Sequence, residues 1–421
     1  MPPRLLFLNR SYYPDAEATG QLLTQLCEDL TDDFQVTVIA GQPNQNPQNI
    51  SYRRCGIDSH NGVTIRRVWN TRFAKTSFVG RAANLLSYLL TATIAGLFAK
   101  RPEVIVVETD PPLLCLLGSL LKWRFRCKSV VYLQDIYPQL GIALGKLRDN
   151  RRTRLLEQWF AASYRYADRV VVLSEDMRGV ISDSGVQSDL IDVIPNWIDT
   201  RQVTPVKTSG NIFRRQLGLD GKFIVMYSGN LGLCQGLENV LLAAEQLKDR
   251  DNIAFVFVGD GASKASLVET ARERGLENVH FYDYQPASSL AHSLSAADLH
   301  LVPVDRRVSQ YLMPSKLYGV LASGTPVLTV APEESELARL VSDEQVGANV
   351  DPDQPEELAE KIVWFAEWCD DLAGYGQRAR DLAVKAFDRP VSVNRFHRML
   401  RQVIDPTSQK AEKLKTEKLK S

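Results

Sequence analysis

One lysine stands at the start of a predicted helix, where its charge would need an anion nearby. The helix runs from Ser315 to Ala322, and Ser315 is predicted to cap its N-terminus. Lys316 then lies at the positive end of the helix, where a cation is disfavoured by about 0.3–1 kcal/mol. That placement makes sense if the ammonium and the backbone N–H groups together neutralise a departing diphosphate. A solvated surface lysine is the alternative.

Two glycine-rich turns follow apolar segments in the same half of the chain. The first spans residues 227–236, between a predicted strand and a predicted helix, so its glycines would let backbone N–H groups approach a phosphate. The second, Gly259-Asp260-Gly261, lacks the complete G-x-G-x-x-G pattern of a dinucleotide-binding turn. Such turns also need glycine for steric reasons, so both interpretations stay open.

Alternating strands and helices must position these residues. Apolar, β-branched runs such as 104–107 and 170–173 alternate with helical stretches, as parallel strands covered on both faces require. The alternation pauses near residues 195–210 and restarts. The predicted fold class is α/β, with two tandem doubly wound domains facing a ligand cleft. The predicted divisions are 1–200 and 201–388 for the two domains, 389–404 for a helix returning to the first, and 405–421 for a charged, disordered tail.

Composition excludes several classes of protein. The 421 residues carry 50 Lys and Arg against 50 Asp and Glu, so no chain-wide attraction to nucleic acid is expected. A mean hydropathy of −0.18 excludes a polytopic membrane protein. The six cysteines form no C-x-x-C pair and no metal-ligand spacing, which indicates reduced thiols in a cytoplasmic protein without a metal. The first apolar run, of four residues, is too short for a signal peptide.

The neutral total conceals two basic segments. Residues 51–101 hold nine basic residues against one acidic residue, and residues 122–154 hold nine against two. Basic and aromatic residues interleave over 122–126, a pattern that suits anionic headgroups or a lipid diphosphate. No recognised nucleic-acid motif accompanies them.

Residues 82–99 contain no charged side chain. Three interpretations are open: a transmembrane span, a buried domain helix, and a helix docked on a bilayer surface. Asn84, Ser87 and Thr91 form a polar stripe, for which a span has no need.

Several motifs occur in a characteristic order. They are Ala18-Thr19-Gly20, Asp135-Ile136-Tyr137-Pro138, Leu173-Ser174-Glu175-Asp176-Met177, residues 193–199, Ser228-Gly229-Asn230, residues 258–261, and Pro314-Ser315-Lys316 with residues 322–327. Together, over about residues 4–404, they resemble the family-4 retaining glycosyltransferases, which have two Rossmann-like domains (GT-B fold). The chain is most similar to the branch that builds bacterial surface polysaccharides such as O-antigen or colanic acid.

The resemblance implies a sugar nucleotide held by the C-terminal domain and an acceptor held by the N-terminal one, with no metal and no separate cofactor. The implied catalytic residues are Lys316, which stabilises the diphosphate, and Asp135, at the place of a catalytic-site histidine in many relatives. We assign Asp135 to orienting a donor-sugar or acceptor hydroxyl, with a general-base role as the alternative. The implied donor-binding residues are Thr19, Gly20, Gly229, Asn230, Gln235, Gly259, Asp260, Gly261, Tyr284, Ser315, Leu317 and Glu336.

Two departures from the family pattern concern the donor site. The Glu-x7-Glu signature falls on Tyr311 and Gly319, so neither carboxylate is present. The Arg and Lys usually near the diphosphate fall on Asn230 and Gln235.

Two features offer replacements. Glu336 is either a substitute acceptor for ribose hydroxyls or an ordinary first-turn carboxylate. Arg306 and Arg307 either supply the missing positive charge or belong to a solvated loop.

The sequence thus predicts a retaining, metal-independent glycosyltransferase that moves a sugar from a nucleotide-diphosphate donor to a lipid-linked or polysaccharide acceptor. It is expected in the cytoplasm, peripheral at the inner face of the plasma membrane, without a nucleic-acid partner. The alternative is a catalytically silent relative that binds sugar nucleotide within a polysaccharide-assembly complex. A nicotinamide-dependent oxidoreductase would need a fingerprint that is missing.

Overall fold

The computed structural model describes residues 2–44, 50–73 and 78–405. The chain divides into two compact units. The first contains the residues up to 142, residues 147–195 and the chain from 392 onward, and the second contains residues 143–146 and 196–391. Each unit has a mainly parallel sheet with connecting helices, so the predicted α/β class with two doubly wound domains is confirmed.

The first unit is built on an eight-stranded sheet. Its strands are β1 (Arg4–Leu8), β2 (Gln35–Ala40), β3 (Gly56–His60), β4 (Val63–Arg67), β5 (Val104–Val107), β6 (Lys128–Tyr132), β7 (Arg169–Val172) and β8 (Ile191–Val193). Their order is β3-β4-β2-β1-β5-β6-β7-β8. All neighbours are parallel except the hairpin of β3 and β4, which turns through Asn61 and Gly62, both at positive φ. The sequence prediction did not include this hairpin.

Helices connect these strands and cover the sheet. They are α1 (Ala18–Asp29), α2 (Phe78–Leu97), α3 (Leu114–Phe125), α4 (Gln139–Ala143, which runs into the second unit), α5 (Arg151–Tyr166) and α6 (Glu175–Asp183). Every residue of β5 is buried, as expected of a parallel strand covered on both faces. Helix α3 packs against α2 and α5.

The second unit has a six-stranded, all-parallel sheet. Its strands are β9 (Phe223–Ser228), β10 (Ile253–Val258), β11 (Val279–Tyr282), β12 (Leu299–Pro303), β13 (Val327–Val330) and β14 (Gly347–Val350), in the order β11-β10-β9-β12-β13-β14. Its helices are α7 (Ile212–Leu217), α8 (Leu237–Gln246), α9 (Lys264–Glu273), α10 (Leu290–Leu294), α11 (Lys316–Ala322), α12 (Glu336–Asp343), α13 (Pro355–Glu367) and α14 (Leu372–Ala386).

The last described helix, α15 (Arg389–Ile404), packs on the first unit. The Phe396 ring meets Tyr132 edge-on at 4.8 Å between centroids, and Arg401 bonds Asp33 at 2.7 Å. None of the described helices is long and apolar enough to cross a bilayer. Most of the predicted charged tail lies outside the described residues.

In each sheet the strand order reverses direction once. Strand β1 lies between β2 and β5, and strand β9 lies between β10 and β12. At such a reversal the following connections diverge and leave a crevice at the carboxyl ends of the two strands, where ligands of doubly wound sheets bind. Candidate functional residues are therefore sought after β1 and β5, and after β9 and β12.

Candidate functional site

Lys316 begins α11, the helix that follows β12 at the reversal point of the second sheet. Its Nζ donates a hydrogen bond to the Tyr227 hydroxyl at 2.7 Å and lies 4.2 Å from the centre of that ring. Tyr227 is in β9, the strand on the other side of the reversal. The structure therefore places the ammonium between the carboxyl ends of β9 and β12.

Little negative charge in the protein compensates the positive charge of Lys316. Burial lowers the pKa of its ammonium to about 7. Within the described part of the chain no carboxylate forms an ion pair with it. A half-neutral ammonium in a crevice is poised to bind an anion, because an anion restores the charged form.

Tyr227 is a candidate functional residue that the sequence interpretation did not single out. Its hydroxyl accepts the bond from Lys316 and donates one to the Asn230 carbonyl at 2.6 Å. It thus joins the lysine to the glycine turn. The available signal was its position, a tyrosine at the end of an apolar strand directly before Ser228-Gly229-Asn230.

The predicted glycine turns meet above the sheet. Leu231 N–H donates to the Asp260 carbonyl at 2.9 Å, which joins the turn after β9 to the turn after β10. A side chain at Gly229 would stand 3.3 Å from Lys316 Cε, and Gly229 has a φ of +148°. The structure therefore brings the two turns and Lys316 together, as predicted.

Glycine at 259 and 261 has a steric cause in the protein itself. A Cβ at Gly259 would lie 1.9 Å from the Gly229 carbonyl oxygen, and one at Gly261 would lie 2.4 Å from that of Leu231. Gly259 also has a φ of +147°. Close packing of the two turns is therefore a sufficient reason for glycine at both positions. This corresponds to the steric interpretation of the second turn, which needs no ligand.

Gly259→Ala is expected to lower the free energy of unfolding by about 2 kcal/mol or more, because the added carbon meets a backbone oxygen at a strained φ. Chemical denaturation measures it. Gly179→Ala, in α6, is the matched control, since its Cβ would meet no atom within 4 Å; it should leave stability unchanged or raise it. Equal stability of the Gly259→Ala variant and the wild type would contradict this packing.

The structure shows the local surroundings of three predicted donor-site residues. Ser315 occupies the N-cap position of α11, but its backbone is helical and its side chain makes no capping bond, so the predicted cap is wrong. The Leu317 N–H already donates to the Pro314 carbonyl at 3.2 Å. Gln235 Oε1 accepts from the Gly232 N–H at 3.1 Å, which ties the turn to itself.

Tyr284, a predicted donor-binding residue, lies beside the second glycine turn. The residue is 53% exposed, and its hydroxyl donates to the Asp260 carbonyl at 3.4 Å. Partial burial raises the pKa of the Tyr284 phenol, and the charge of Asp260 adds to the rise. An exposed ring beside the turns leaves a face on which a base can stack.

Glu336, Arg306 and Arg307 were candidates to replace the missing carboxylates and cations. Glu336 is half-buried at the start of α12, where its charge adds to the burial that raises the pKa of Tyr318. Arg306 pairs with Asp351 and Asp353, and Arg307 pairs with Asp305 at 2.6 Å. Both guanidiniums are on an exposed surface and already paired, which corresponds to the solvated-loop alternative.

The structure shows the surroundings of Gly319 and Tyr311, which stand where the family has its two signature carboxylates. Gly319 is buried in α11, where a Cβ would meet Leu294 Cδ1 at 3.1 Å. Tyr311 is half-buried next to Gln310, which donates to its hydroxyl at 3.0 Å. Among the described residues no three His, Cys, Asp or Glu side chains gather as metal ligands.

In the first unit, carboxylates follow two neighbouring strands. Asp135 lies just beyond β6, and Asp110 lies just beyond β5 at the reversal point. Burial raises the pKa of Asp135 to about 6, and the negative charge of Asp110 adds to the rise. Asp135 is thus a partly exposed carboxylate that titrates close to neutral pH.

An ion pair fixes the neighbouring carboxylate. Arg10, which follows β1, donates from Nε to Asp110 Oδ1 at 3.1 Å, and its Nη2 is 3.1 Å from Oδ2. Burial nevertheless raises the pKa of Asp110, with Arg10 opposing the rise. The sequence interpretation missed this pair, although Glu108-Thr109-Asp110 follows its strand just as Asp135 follows the next one.

Thr19 and Gly20 lie in the first turn of α1. Thr19 is half-exposed. Gly20 is buried, and a Cβ there would lie 2.4 Å from Ser11 Oγ. Packing of α1 on the loop after β1 therefore accounts for the glycine, while Thr19 stays a predicted donor contact.

Known families match both units. Residues 18–197 match the family "Glycosyl transferase 4-like domain", and residues 210–381 match "Glycosyl transferases group 1". The chain belongs to the glycosyltransferases. The second match contains Lys316 and both glycine turns, and the first contains Asp135.

Curated relatives of this glycosyltransferase include one that is named for colanic acid biosynthesis. The probable glycosyltransferase WbjE of Pseudomonas aeruginosa is 29% identical over 73% of this chain and 76% of that protein. The putative colanic acid biosynthesis glycosyl transferase WcaI of Escherichia coli is 31% identical over 61% of this chain and 65% of that protein, just under two thirds of its length. The predicted family and the predicted resemblance to its surface-polysaccharide branch are confirmed.

Solved structures show the GT-B fold for this glycosyltransferase. The crystal structure of Anabaena HepE in complex with UDP and glucose superposes with a TM-score of 0.73, at 17% identity, over 95% of this chain and 100% of that one. At that identity the likeness shows the fold alone.

Proposed function

We propose that this glycosyltransferase transfers a sugar, with retention of anomeric configuration, from a nucleotide-diphosphate donor. The observation that carries the proposal is Lys316, a partly buried ammonium that forms no ion pair with a carboxylate in the described chain, at the reversal point of the second sheet. Gly229 and Asn230 would approach the diphosphate, with Tyr227 holding the lysine and the turn together. Charge on the leaving diphosphate would be neutralised by Lys316 and backbone N–H groups.

The reaction proposed here rests on positioning and electrostatics. As the C–O bond to the diphosphate breaks, negative charge grows on the leaving oxygen, and a preorganised ammonium stabilises that charge most where water is excluded. Asp135 would orient a hydroxyl of the donor sugar or the acceptor as its hydrogen-bond acceptor. We propose that no metal and no separate cofactor take part, since Lys316 would supply the positive charge.

The proposed acceptor is a lipid-linked or polysaccharide glycan, and the proposed place of work is the cytoplasmic face of the plasma membrane, with peripheral attachment. The name of one curated relative, the putative colanic acid biosynthesis glycosyl transferase WcaI, supports a role in cell-surface polysaccharide biosynthesis. The two basic segments, residues 51–101 and 122–154, support contact with anionic lipid or a lipid diphosphate.

A thermal-shift screen against UDP-, GDP- and ADP-sugars tests donor binding without an acceptor. UDP-glucose is included because the similar HepE structure contains UDP and glucose. At a donor concentration about 100 times Kd, binding to the native state stabilises it by about 2.7 kcal/mol. We expect sugars of one nucleotide to shift the unfolding midpoint in the wild type, and to shift it less in a Lys316→Met variant at the same donor concentration. No shift with any of the nucleotides would contradict the proposal.

Donor affinity is expected to fall as the pH rises above about 7. In the free protein the pKa of Lys316 is about 7, and a bound diphosphate raises it because the anion favours the charged form. Binding should therefore take up about half a proton at pH 7 and nearly one at pH 8. Calorimetry in two buffers of different ionisation enthalpy measures the uptake. Lys316→Met should abolish it, and wild-type binding without proton uptake would contradict the assignment.

A second candidate function has a specific observation in its favour. Gly319 and Tyr311 leave the positions of both signature carboxylates without an acid, which suits a relative that binds sugar nucleotide without transferring the sugar. Release of nucleoside diphosphate separates the two. Stabilisation by a nucleotide sugar with no turnover, with or without glycan acceptors, would favour the silent relative.

A further inference from the structure

Helix α2 turns its polar side inward. Asn84 Oδ1 accepts from the Phe73 N–H at 2.9 Å, Ser87 Oγ accepts from the Thr71 N–H at 3.0 Å, and Thr91 Oγ1 donates to the Trp69 carbonyl at 2.7 Å. The polar stripe thus satisfies the backbone of the segment before the helix. In an ordinary surface helix the polar side faces water. In α2 it faces the protein instead.

The side facing solvent is apolar. Leu86, Leu90 and Ile94 are spaced four residues apart on one face and are each more than half exposed, and Phe98, just beyond the helix, is 79% exposed. The 20-residue helix is about 30 Å long, so these side chains form a long ridge. We call Leu86, Leu90, Ile94 and Phe98 the α2 ridge. Of the three interpretations of residues 82–99, a buried domain helix does not hold for this face, which is exposed.

The neighbouring helices also expose large aromatic side chains. Helix α3 packs on α2 where Gly96 approaches Leu121, so closely that a Cβ at 96 would lie 2.9 Å from Leu121 Cδ1. Two residues further along α3, Trp123 is 70% exposed, and α5, which packs on α3, exposes Trp159. Exposed tryptophans and exposed apolar side chains on packed helices are typical of surfaces that insert at a membrane interface.

Basic side chains border this surface at the end of α3. A groove of about 400 Å³ is lined by Lys122, Trp123, Arg124, Arg126, Cys127 and Tyr166. Arg101, after α2, donates to the Arg126 carbonyl at 3.4 Å, which brings the ends of the two helices together. Among the described residues Arg101, Arg124 and Arg126 pair with no carboxylate. Their charges are free to meet an anion.

We propose that the α2 ridge, Trp123 and the arginines at the end of α3 form one docking surface for a bilayer that contains anionic lipid. The ridge and Trp123 would enter the interface between headgroups and acyl chains, and Arg101, Arg124 and Arg126 would bind the phosphates. A second copy of the chain fits less well, because a symmetric contact through this surface would bring the like charges of its border together. The inference rests on the proposed function in one respect, which is that the protein works at a membrane.

Vesicle co-sedimentation of the full chain tests the surface. Vesicles of phosphatidylcholine alone are compared with vesicles of phosphatidylcholine and phosphatidylglycerol in equal parts. We expect binding to the anionic vesicles, weakened by added salt, and about tenfold or more weaker in Leu86→Ser/Leu90→Ser/Ile94→Ser and in Arg124→Glu/Arg126→Glu. Trp368→Ser and Arg215→Glu, exposed positions of the second unit, are the matched controls and should bind like the wild type.

Several outcomes overturn the proposal. One is no binding by the wild type, and another is wild-type binding by the ridge variant. Sedimentation velocity showing a dimer that the ridge variant dissociates, with no vesicle binding, would assign the surface to a second copy. Thermal shifts by nucleotide sugars should be equal in all these variants, because none of the substituted residues belongs to the proposed donor site. Vesicle binding by the wild type, with no thermal shift by any nucleotide sugar, would contradict the proposed function and leave the docking surface standing.

Discussion

Lys316→Met is expected to lower turnover of the donor by about 10²–10³-fold while the protein stays folded. The thioether replaces an ammonium of similar length, so the loss reports the charge on Nζ and its bond to Tyr227. Folding should not suffer, because burial already disfavours the charged form of this lysine and lowers its pKa to about 7. Release of nucleoside diphosphate, measured with saturating donor, gives the change in kcat.

Two further variants sharpen that experiment. Lys385→Met removes an exposed lysine near the end of α14 and should leave turnover unchanged. Tyr227→Phe keeps the ammonium but removes the hydroxyl that joins it to the Asn230 carbonyl, and should reduce turnover by about tenfold. A folded Lys316→Met enzyme with wild-type turnover would remove Lys316 from the reaction.

Asp135→Asn is expected to lower turnover by about 10²-fold or more with little change in donor affinity. The amide keeps the size of the side chain but loses the anionic acceptor that would orient a hydroxyl. Because the pKa of Asp135 is about 6, the carboxylate is lost as the pH falls through 6. Wild-type turnover should therefore decline below about pH 6, and the residual turnover of the Asn variant should lack that decline. A pH series from 5 to 8 measures both.

The control for this variant is Asp149→Asn, a surface carboxylate of the same unit that pairs with Arg154 at 2.9 Å. It should keep the wild-type pH profile. Asp110→Asn removes the neighbouring negative charge, so it should shift the acid decline of the wild type to lower pH. If Asp135→Asn retains the acid decline, another group is responsible for it.

The strands and the glycine turns were predictable because they depend on local patterns. Four-residue β-branched runs such as 104–107 indicate buried parallel strands, and the structure has them as β5. The glycines at 259 and 261 mark a close approach of backbones, which sequence alone does not separate from a phosphate site. Only the packing of the turn after β9 on the turn after β10 shows that the steric cause is sufficient.

The contacts of Lys316 and the orientation of α2 were not predictable in the same way. The Tyr227 hydroxyl reaches Lys316 across 89 residues of chain, and nothing in either local sequence indicates the bond. For α2, the stripe of Asn84, Ser87 and Thr91 is visible in the sequence, but its side depends on the segment 69–73, whose carbonyl and N–H groups it satisfies. The usual rule for an amphipathic helix would therefore place this polar stripe in solvent and the leucines against the core, opposite to what the structure shows.

The central claim is that this chain breaks the bond between a sugar and a nucleoside diphosphate and retains the anomeric configuration. Its most direct test is proton NMR of the wild-type protein with the nucleotide sugar that binds it, following the anomeric signals during slow transfer to water or to a glycan acceptor. The account predicts release of nucleoside diphosphate and, before mutarotation, a product with the same anomeric configuration as the donor. A product of the opposite configuration, or a bound donor that is never turned over, would contradict it.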